Sequence, residues 1–327
     1  MWGERQGERQ GERQGEHAPV RVVVAGGTGF VGTAVRAALA RRGAEVTAFS
    51  RGGAPGSGVL AGDLTDADRT AELVSGADVV VHAAPYLGED PDESRRVNVE
   101  GTRTLVRAAA AQGATVIQVS TTAVYGAGPH RGPDVGEVAI RPASTRSAHR
   151  HEAEQLVLEA GGCVLRPDLV YGVGDTWVVP AVVTLVRLAG GLPDGGAARV
   201  SVVAVEELGA LVAGLCLASR DGAAEALRGR ELHAARPEPV TVATIAHETW
   251  RALGLPGSLA AVPADAVRDA ARARGFSDHQ LAMALSDHWY RSDAAWAVAG
   301  LQPSSGFALT AEHVAWYRRL LASAGTA

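Results

Sequence analysis

One short run constrains this chain more than any other: Val22-Val23-Val24-Ala25-Gly26-Gly27-Thr28-Gly29-Phe30-Val31-Gly32. Its β-branched start has no polar alternation, the pattern of a strand buried on both faces. Glycines at 26, 29 and 32 follow, and residues 32–42 then read as a helix. A strand, a Gly-x-x-Gly-x-x-Gly turn and a helix in that order form a dinucleotide fingerprint. The early glycines permit a tight turn and let the backbone approach a pyrophosphate, and the last lets helix pack on strand. The helix N-terminus offers unpaired N–H groups and a partial positive charge to the phosphates.

The rest of the chain fits this start. Strands are expected over residues 20–25, 44–49, 58–61, 78–83, 115–120 and 163–166, alternating with helices over 32–42, up to Ser75, over 93–112 and over 142–159. Such alternation predicts an α/β fold, a Rossmann-type doubly wound parallel sheet. After residue 175 the pattern changes to helices over 180–188, 206–218, 243–252 and 264–274, with short strands over 200–205 and 231–233. The expected division is a dinucleotide-binding domain over 20–175 and a smaller, mainly helical substrate-binding part over 176–327, with segments returning to the sheet. Trp250, Trp289, Trp296 and Trp316 fall in this second part, as core residues or as walls of an aromatic pocket. Residues 3–14 are three copies of Gly-Glu-Arg-Gln. With no apolar face they cannot bury a core, so the tail over 1–19 is expected to be disordered.

Composition narrows the chemistry. The 31 basic residues are all arginine. That excludes a Schiff-base lysine, a phosphate loop ending in Gly-Lys-Ser/Thr, and any Tyr-x-x-x-Lys pair. A net charge of −5 leaves no basic footprint for nucleic acid or an anionic membrane. Cys163 and Cys216 sit in apolar stretches and are expected as buried free thiols rather than metal ligands, which suits a cytoplasmic protein. The start has no apolar leader pattern, and the apolar segments are too short to cross a bilayer.

At the end of the second strand, where an adenosine ribose would sit, an acidic residue would accept from the 2′-hydroxyl. Here Ser50 and Arg51 stand instead, and a hydroxyl beside a guanidinium suits a 2′-phosphate. NADPH is therefore expected, with NADH possible.

Further segments line up with that turn: Gly62-Asp63-Leu64-Thr65-Asp66, Val80-Val81-His82-Ala83-Ala84, Asn98-Val99-Glu100-Gly101-Thr102, residues 119–126, Leu165-Arg166-Pro167 with Val170-Tyr171-Gly172, and Val205-Glu206-Glu207-Leu208. Over about residues 20 to 210 the chain resembles the extended short-chain dehydrogenase/reductase superfamily, of the NAD-dependent epimerase/dehydratase type. The resemblance implies that Gly26, Thr28, Gly29, Phe30, Val31 and Gly32 hold the pyrophosphate, and that Asp63 and Leu64 border the adenine. It also implies that Ala83, Ala84 and Pro85 pass under the cofactor and that Pro167 to Leu169 lie near the nicotinamide. Thr121, four residues before Tyr125, fills the family's catalytic Ser/Thr position.

The family's Tyr-x-x-x-Lys pair is missing. Counting back four and eight from Glu154 in Ala153-Glu154-Gln155-Leu156-Val157 puts Arg150 at the lysine and Arg146 at the tyrosine. The five tyrosines, Tyr86, Tyr125, Tyr171, Tyr290 and Tyr317, all lie elsewhere. Losing a general acid typically costs ~10²–10⁴ in rate. Holding hydride donor and carbonyl together can supply ~7–11 kcal/mol by itself, so reduction survives if another proton source exists. The candidates are a hydroxyl on the substrate next to its ketone, Thr121, or one of His149, His151 and Tyr86. Tyr86, Thr122 and Arg146 are the expected substrate contacts. Sugar epimerases need the tyrosine as base, and the family's dehydratases carry Asp-Glu where this chain has Thr122-Ala123.

The chain thus looks like the atypical ketoreductases of aromatic-polyketide antibiotic pathways. The implied activity is NADPH-dependent reduction of an angucyclinone-like ketone by direct hydride transfer, in a monomer or homodimer, with substrate-assisted proton delivery. A second expectation from a different class is a non-catalytic NADP(H)-binding redox sensor.

Overall fold

A computed structural model describes residues 18–54, 56–219 and 224–323. Except for Ala18 and Pro19, the repeat tail lies outside these residues.

Strand β1 (Arg21–Ala25) is buried from Val22 onward, and β4 (Val79–His82) is buried throughout. Their valines are buried on both faces because both faces of the sheet are covered. With β2 (Glu45–Ser50), β3 (Leu60–Ala61), β5 (Thr115–Val119) and the strands Cys163–Arg166 and Glu231–His233, they form one parallel sheet among the described residues. Its order is Glu231–His233, Cys163–Arg166, β5, β4, β1, β2, β3. The chain reverses its winding between β1 and β4, and ligands bind at the carboxyl ends of the strands at such a point. The α/β doubly wound fold is as expected, and Glu231–His233 is the segment that returns from the C-terminal part.

Helix α1 (Phe30–Arg41) leaves the glycine turn directly. Gly26 has φ +87°, and a Cβ built on Gly32 would overlap the Gly26 carbonyl oxygen. Glycine at these two points lets α1 approach β1 closely. Buried Val35 and Leu39 then join Leu208 and Leu211 of helix Val205–Ala218 in one core. A fully buried side chain of this kind contributes about 1.5–3 kcal/mol before entropy is counted.

Two helices differ from expectation. The single helix over 93–112 is three pieces: Pro91–Arg95, a π-helical turn Arg96–Gly101, and Thr102–Ala111. The π turn carries Asn98, whose side chain bonds both backbone groups of Tyr86. The helix expected over 142–159 starts at Thr145, because Ser144 and Ser147 form a reciprocal cap that fixes the first turn there.

A second core gathers Tyr171 together with Val179, Val183, Trp250 and Tyr317 from past residue 175. The strand expected over 200–205 is split at Ser201. Arg199–Val200 joins a four-stranded sheet of two-residue strands, and Val202–Ala204 pairs with Leu169–Tyr171. Cys163 and Cys216 are buried free thiols. Among the described residues, no helix is long and apolar enough to cross a membrane.

Candidate active site

A cavity of about 550 Å³ opens at the carboxyl ends of β1 and β4. Most of the expected cofactor residues meet there. Gly26, Thr28, Gly29, Phe30 and Val31 line it at the start of α1. No side chain caps that helix, so its first N–H groups remain for a ligand. The turn is held from behind, Gly26 and Gly27 both donating to the Phe49 carbonyl at 2.8 and 3.1 Å. Ala83, Ala84 and Pro85 form one side, and Pro167 lies at the far end. A bare helix N-terminus beside a glycine turn with no room for side chains fits a pyrophosphate, so the residues present suit a dinucleotide. Gly32 does not line the cavity; its part is the close packing described above. Leu169 is a correction as well. It is 7% exposed and packs in the second core, while its neighbours Asp168 and Val170 reach the cavity.

At the end where an adenosine is expected stand Ser50, Arg51, Asp63 and Leu64. The Thr28 hydroxyl donates to the Ser50 hydroxyl at 3.0 Å. Arg51 lies 3.4 Å from Glu93, a carboxylate that Arg96 already engages at 2.7 Å. Arg51 therefore holds a shared partner weakly. Asp63 accepts from the Thr65 amide and hydroxyl; burial opposes its ionisation, but those hydrogen bonds and Arg96 hold its carboxyl below the usual range.

At the other end Thr121 lines the cavity as the cap of the turn Thr122–Tyr125. Its oxygen accepts from the Ala123 amide at 3.2 Å, so its own proton is left to donate. Arg150 also lines the cavity, donating to the Val119 carbonyl at 3.2 Å. Burial brings its guanidinium down to about 10, with Glu154 opposing and Arg146 adding to the shift. It remains a cation at neutral pH.

The expected substrate contacts turn elsewhere. Thr122 is buried and donates to Asp168 Oδ1 at 2.6 Å. Tyr86 lies outside the lining, its ring folded over Gly88. Arg146 is exposed and donates to the Leu87 carbonyl. The two histidines are engaged away from the cavity, His149 with Ser94 at 3.1 Å and His151 with Glu154 at 3.2 Å. None of Trp250, Trp289, Trp296 and Trp316 lines it; Trp296 donates to the Ala235 carbonyl and Trp316 to that of Asp175.

Two further lining residues bear on the chemistry, and Leu87 is one the sequence reading did not name. Leu87 borders the cavity although 61% exposed. Asp168 also borders it, and its Oδ2 is buried with no partner among the described residues. Burial pushes its carboxyl up to about 7, against the Thr122 hydroxyl and the Ser201 amide, which favour the ionised form. The ordinary value is 3.8. The folded protein therefore binds an extra proton between those values, and this group's contribution to stability falls as pH rises through that window. Asp168→Asn is expected to remove the slope. The variant should gain on the parent by on the order of 2–4 kcal/mol between acid and mildly alkaline pH. Urea unfolding of both proteins across pH checks this, and a difference that does not vary with pH contradicts it.

Comparison with known proteins follows the same lines. The sequence model of the NAD dependent epimerase/dehydratase family matches residues 22–212. A 4-hydroxy-2-methyl-3-oxo-4-farnesyl-3,4-dihydroquinoline-1-oxide ketoreductase of Stigmatella aurantiaca is 32% identical over 51% of this chain and 55% of its own. A 3-diazoavenalumate denitrifying reductase of a Streptomyces species is 34% identical over 72% of this chain and 83% of its own. In the first two relatives the match spans about half the curated protein's length. Among solved structures, a UDP-glucose-4-epimerase from Stenotrophomonas maltophila with bound NAD and formylated UDP-arabinopyranose superposes with a TM-score of 0.73. The match is 16% identical over 93% of this chain and 99% of that one, a likeness of fold.

Proposed function

This chain belongs to the NAD dependent epimerase/dehydratase family, and from that premise we propose that it is an NADPH-dependent ketoreductase of an aromatic, angucyclinone-like polyketide in antibiotic biosynthesis. The observation that carries the reading is the cavity itself. Its long wall suits a dinucleotide, while its catalytic end is lined by Thr121 and Arg150 in place of a tyrosine and a lysine. The Stigmatella relative is named a ketoreductase and the Streptomyces relative a reductase, which favours the reductive direction.

Gly26, Thr28, Gly29, Phe30 and Val31 would hold the pyrophosphate, Ser50 and Arg51 the 2′-phosphate, and Pro167 the nicotinamide end. When bound, the reduced nicotinamide supplies the hydride for the carbonyl carbon. Thr121 orients the carbonyl oxygen with its free proton, and Arg150 favours negative charge developing there. The proton comes from a hydroxyl on the substrate beside the ketone, already hydrogen-bonded to the oxygen that becomes the alcohol. The part after residue 176 supplies the substrate side, and the thiols of Cys163 and Cys216 stay unpaired in a reducing cytoplasm.

The test is steady-state NADPH consumption with peri-hydroxytetralone and with plain tetralone. The hydroxylated ketone should turn over at least about tenfold faster, the low end of what a general acid supplies. Equal rates contradict substrate assistance. Tight NADPH binding with no ketone consumed leaves the redox-sensor reading.

Arg51→Ala should weaken NADPH binding about 10- to 100-fold, the scale of one charged hydrogen bond, and leave NADH binding unchanged. Fluorescence titration with both coenzymes reads the difference, and equal losses contradict a 2′-phosphate contact.

A further inference from the structure

Arg146, at the position of the missing tyrosine, reaches a neighbouring loop instead of the cavity. Its Nη1 donates to the Leu87 carbonyl at 2.6 Å. Asn98 grips the preceding residue from the π-helical turn, accepting from the Tyr86 amide at 2.8 Å and donating to the Tyr86 carbonyl at 3.2 Å. Asn98 is itself fixed, since its Nδ2 also reaches the Ser94 hydroxyl at 3.2 Å. Three backbone groups of two consecutive loop residues are thus tied to side chains from two separate helices.

An irregular loop without such ties opens at little cost. This one is clamped, and what the clamp presents is apolar. Leu87 is 61% exposed and stands on the rim of the cavity. A single exposed leucine elsewhere would need no explanation. Here the leucine lines the same cavity as Thr121 and Arg150, and it is tied to Arg146, one helical turn before Arg150.

We propose that Arg146 is a positioning residue that fixes Leu87 as an apolar lip, and that the hydrophobic body of the ketone substrate packs on that lip. The proposal rests on the ketoreductase reading and adds the class of substrate: a ketone with a flat apolar body extending past the reacting carbon. The arginine replaces the tyrosine's proton chemistry with a structural tie. Restoring the pair by Arg146→Tyr with Arg150→Lys removes the tie while keeping a cation at 150, and so lowers turnover of the apolar ketone.

Leu87→Ser is assayed with peri-hydroxytetralone and with acetoin, which carries a hydroxyl beside its ketone but no apolar body. KM for peri-hydroxytetralone should rise about tenfold or more, the scale of burying one leucine, with kcat nearly unchanged. KM for acetoin and the NADPH dissociation constant should not move, and Leu87→Met should restore the parent KM. Arg146→Ala should raise the same KM by a smaller factor and speed hydrogen exchange at the amides of Leu87 and Gly88. Arg146→Lys, which can still donate to the Leu87 carbonyl, should recover part of both. An unchanged KM for peri-hydroxytetralone in Leu87→Ser, or an equal rise for acetoin, overturns the lip. Unchanged exchange in Arg146→Ala overturns the clamp. If the parent consumes NADPH with neither ketone, the reductase reading has failed. Calorimetric binding of peri-hydroxytetralone to parent and Leu87→Ser then decides the lip separately, with weaker binding by the variant supporting it and equal binding overturning it.

Discussion

Gly26→Ala is expected to cut NADPH affinity on the order of a hundredfold. Two costs add at this residue. Its φ of +87° is a conformation that a side chain opposes, by about 1–2 kcal/mol. The new methyl would also overlap the Ala83 carbonyl just past β4, and such overpacking typically costs about 1–3 kcal/mol. The turn cannot relax freely, because the Gly26 amide is tied to the Phe49 carbonyl at 2.8 Å and its carbonyl to the Gly29 amide at 2.9 Å. The movement that remains displaces the first turn of α1, where the pyrophosphate would sit. About 3 kcal/mol taken from binding is roughly two powers of ten. Calorimetric titration of a variant that still melts cooperatively measures it, and parent-like affinity would mean that the turn does not hold the coenzyme.

The second large effect concerns stability. Glu154 and Arg166 are fully buried and paired twice, at 3.1 and 2.6 Å. Arg166 also donates to Tyr125 at 2.9 Å and contacts Glu231, and Glu154 also meets His151. Burial opposes the charge on both. Hydrogen bonds from His151 and Arg166 outweigh it at Glu154 and keep that carboxyl below its ordinary range, and the carboxylates hold Arg166 above its own. Glu154→Gln keeps the shape and leaves a buried guanidinium short of one counter-charge, so about 3–5 kcal/mol should be lost. That corresponds to a fall in Tm of roughly 10 °C. Glu154→Leu with Arg166→Met should lose less than the sum of the two single changes, because removing both charges leaves neither unpaired. A Glu154→Gln protein with the parent Tm would contradict the account.

Much of the fold was legible because buried parallel strands leave an unbroken apolar signature. Residues 163–166 and 231–233 coincide with strands, and β1, β2, β4 and β5 end within a residue of expectation. The two-residue strands His130–Arg131 and His288–Trp289 were not legible, since each exists only by pairing with a segment far along the chain. Nor was the π turn, because Arg96–Gly101 keeps a helical pattern and the departure coincides with the grip of Asn98 on a loop twelve residues earlier.

The site divides similarly. The cofactor wall was readable because its residues follow one another in short motifs at strand ends. Tyr86, Thr122 and Arg146 were placed by motif position, and position does not say which way a side chain points. Asp168 was read only as part of the stretch Pro167 to Leu169 and not for its side chain, since its tie to Thr122 spans 46 residues. Leu87 carried no signal in a loop whose shape is set by distant side chains.

The readings of the site depend on a pyridine nucleotide lying between the glycine turn and Pro167. Isothermal titration of NADPH into the purified full chain tests this directly. The account predicts saturable one-to-one binding in the micromolar range, weaker for NADH. No heat of binding with either coenzyme, from protein that melts cooperatively, would contradict it.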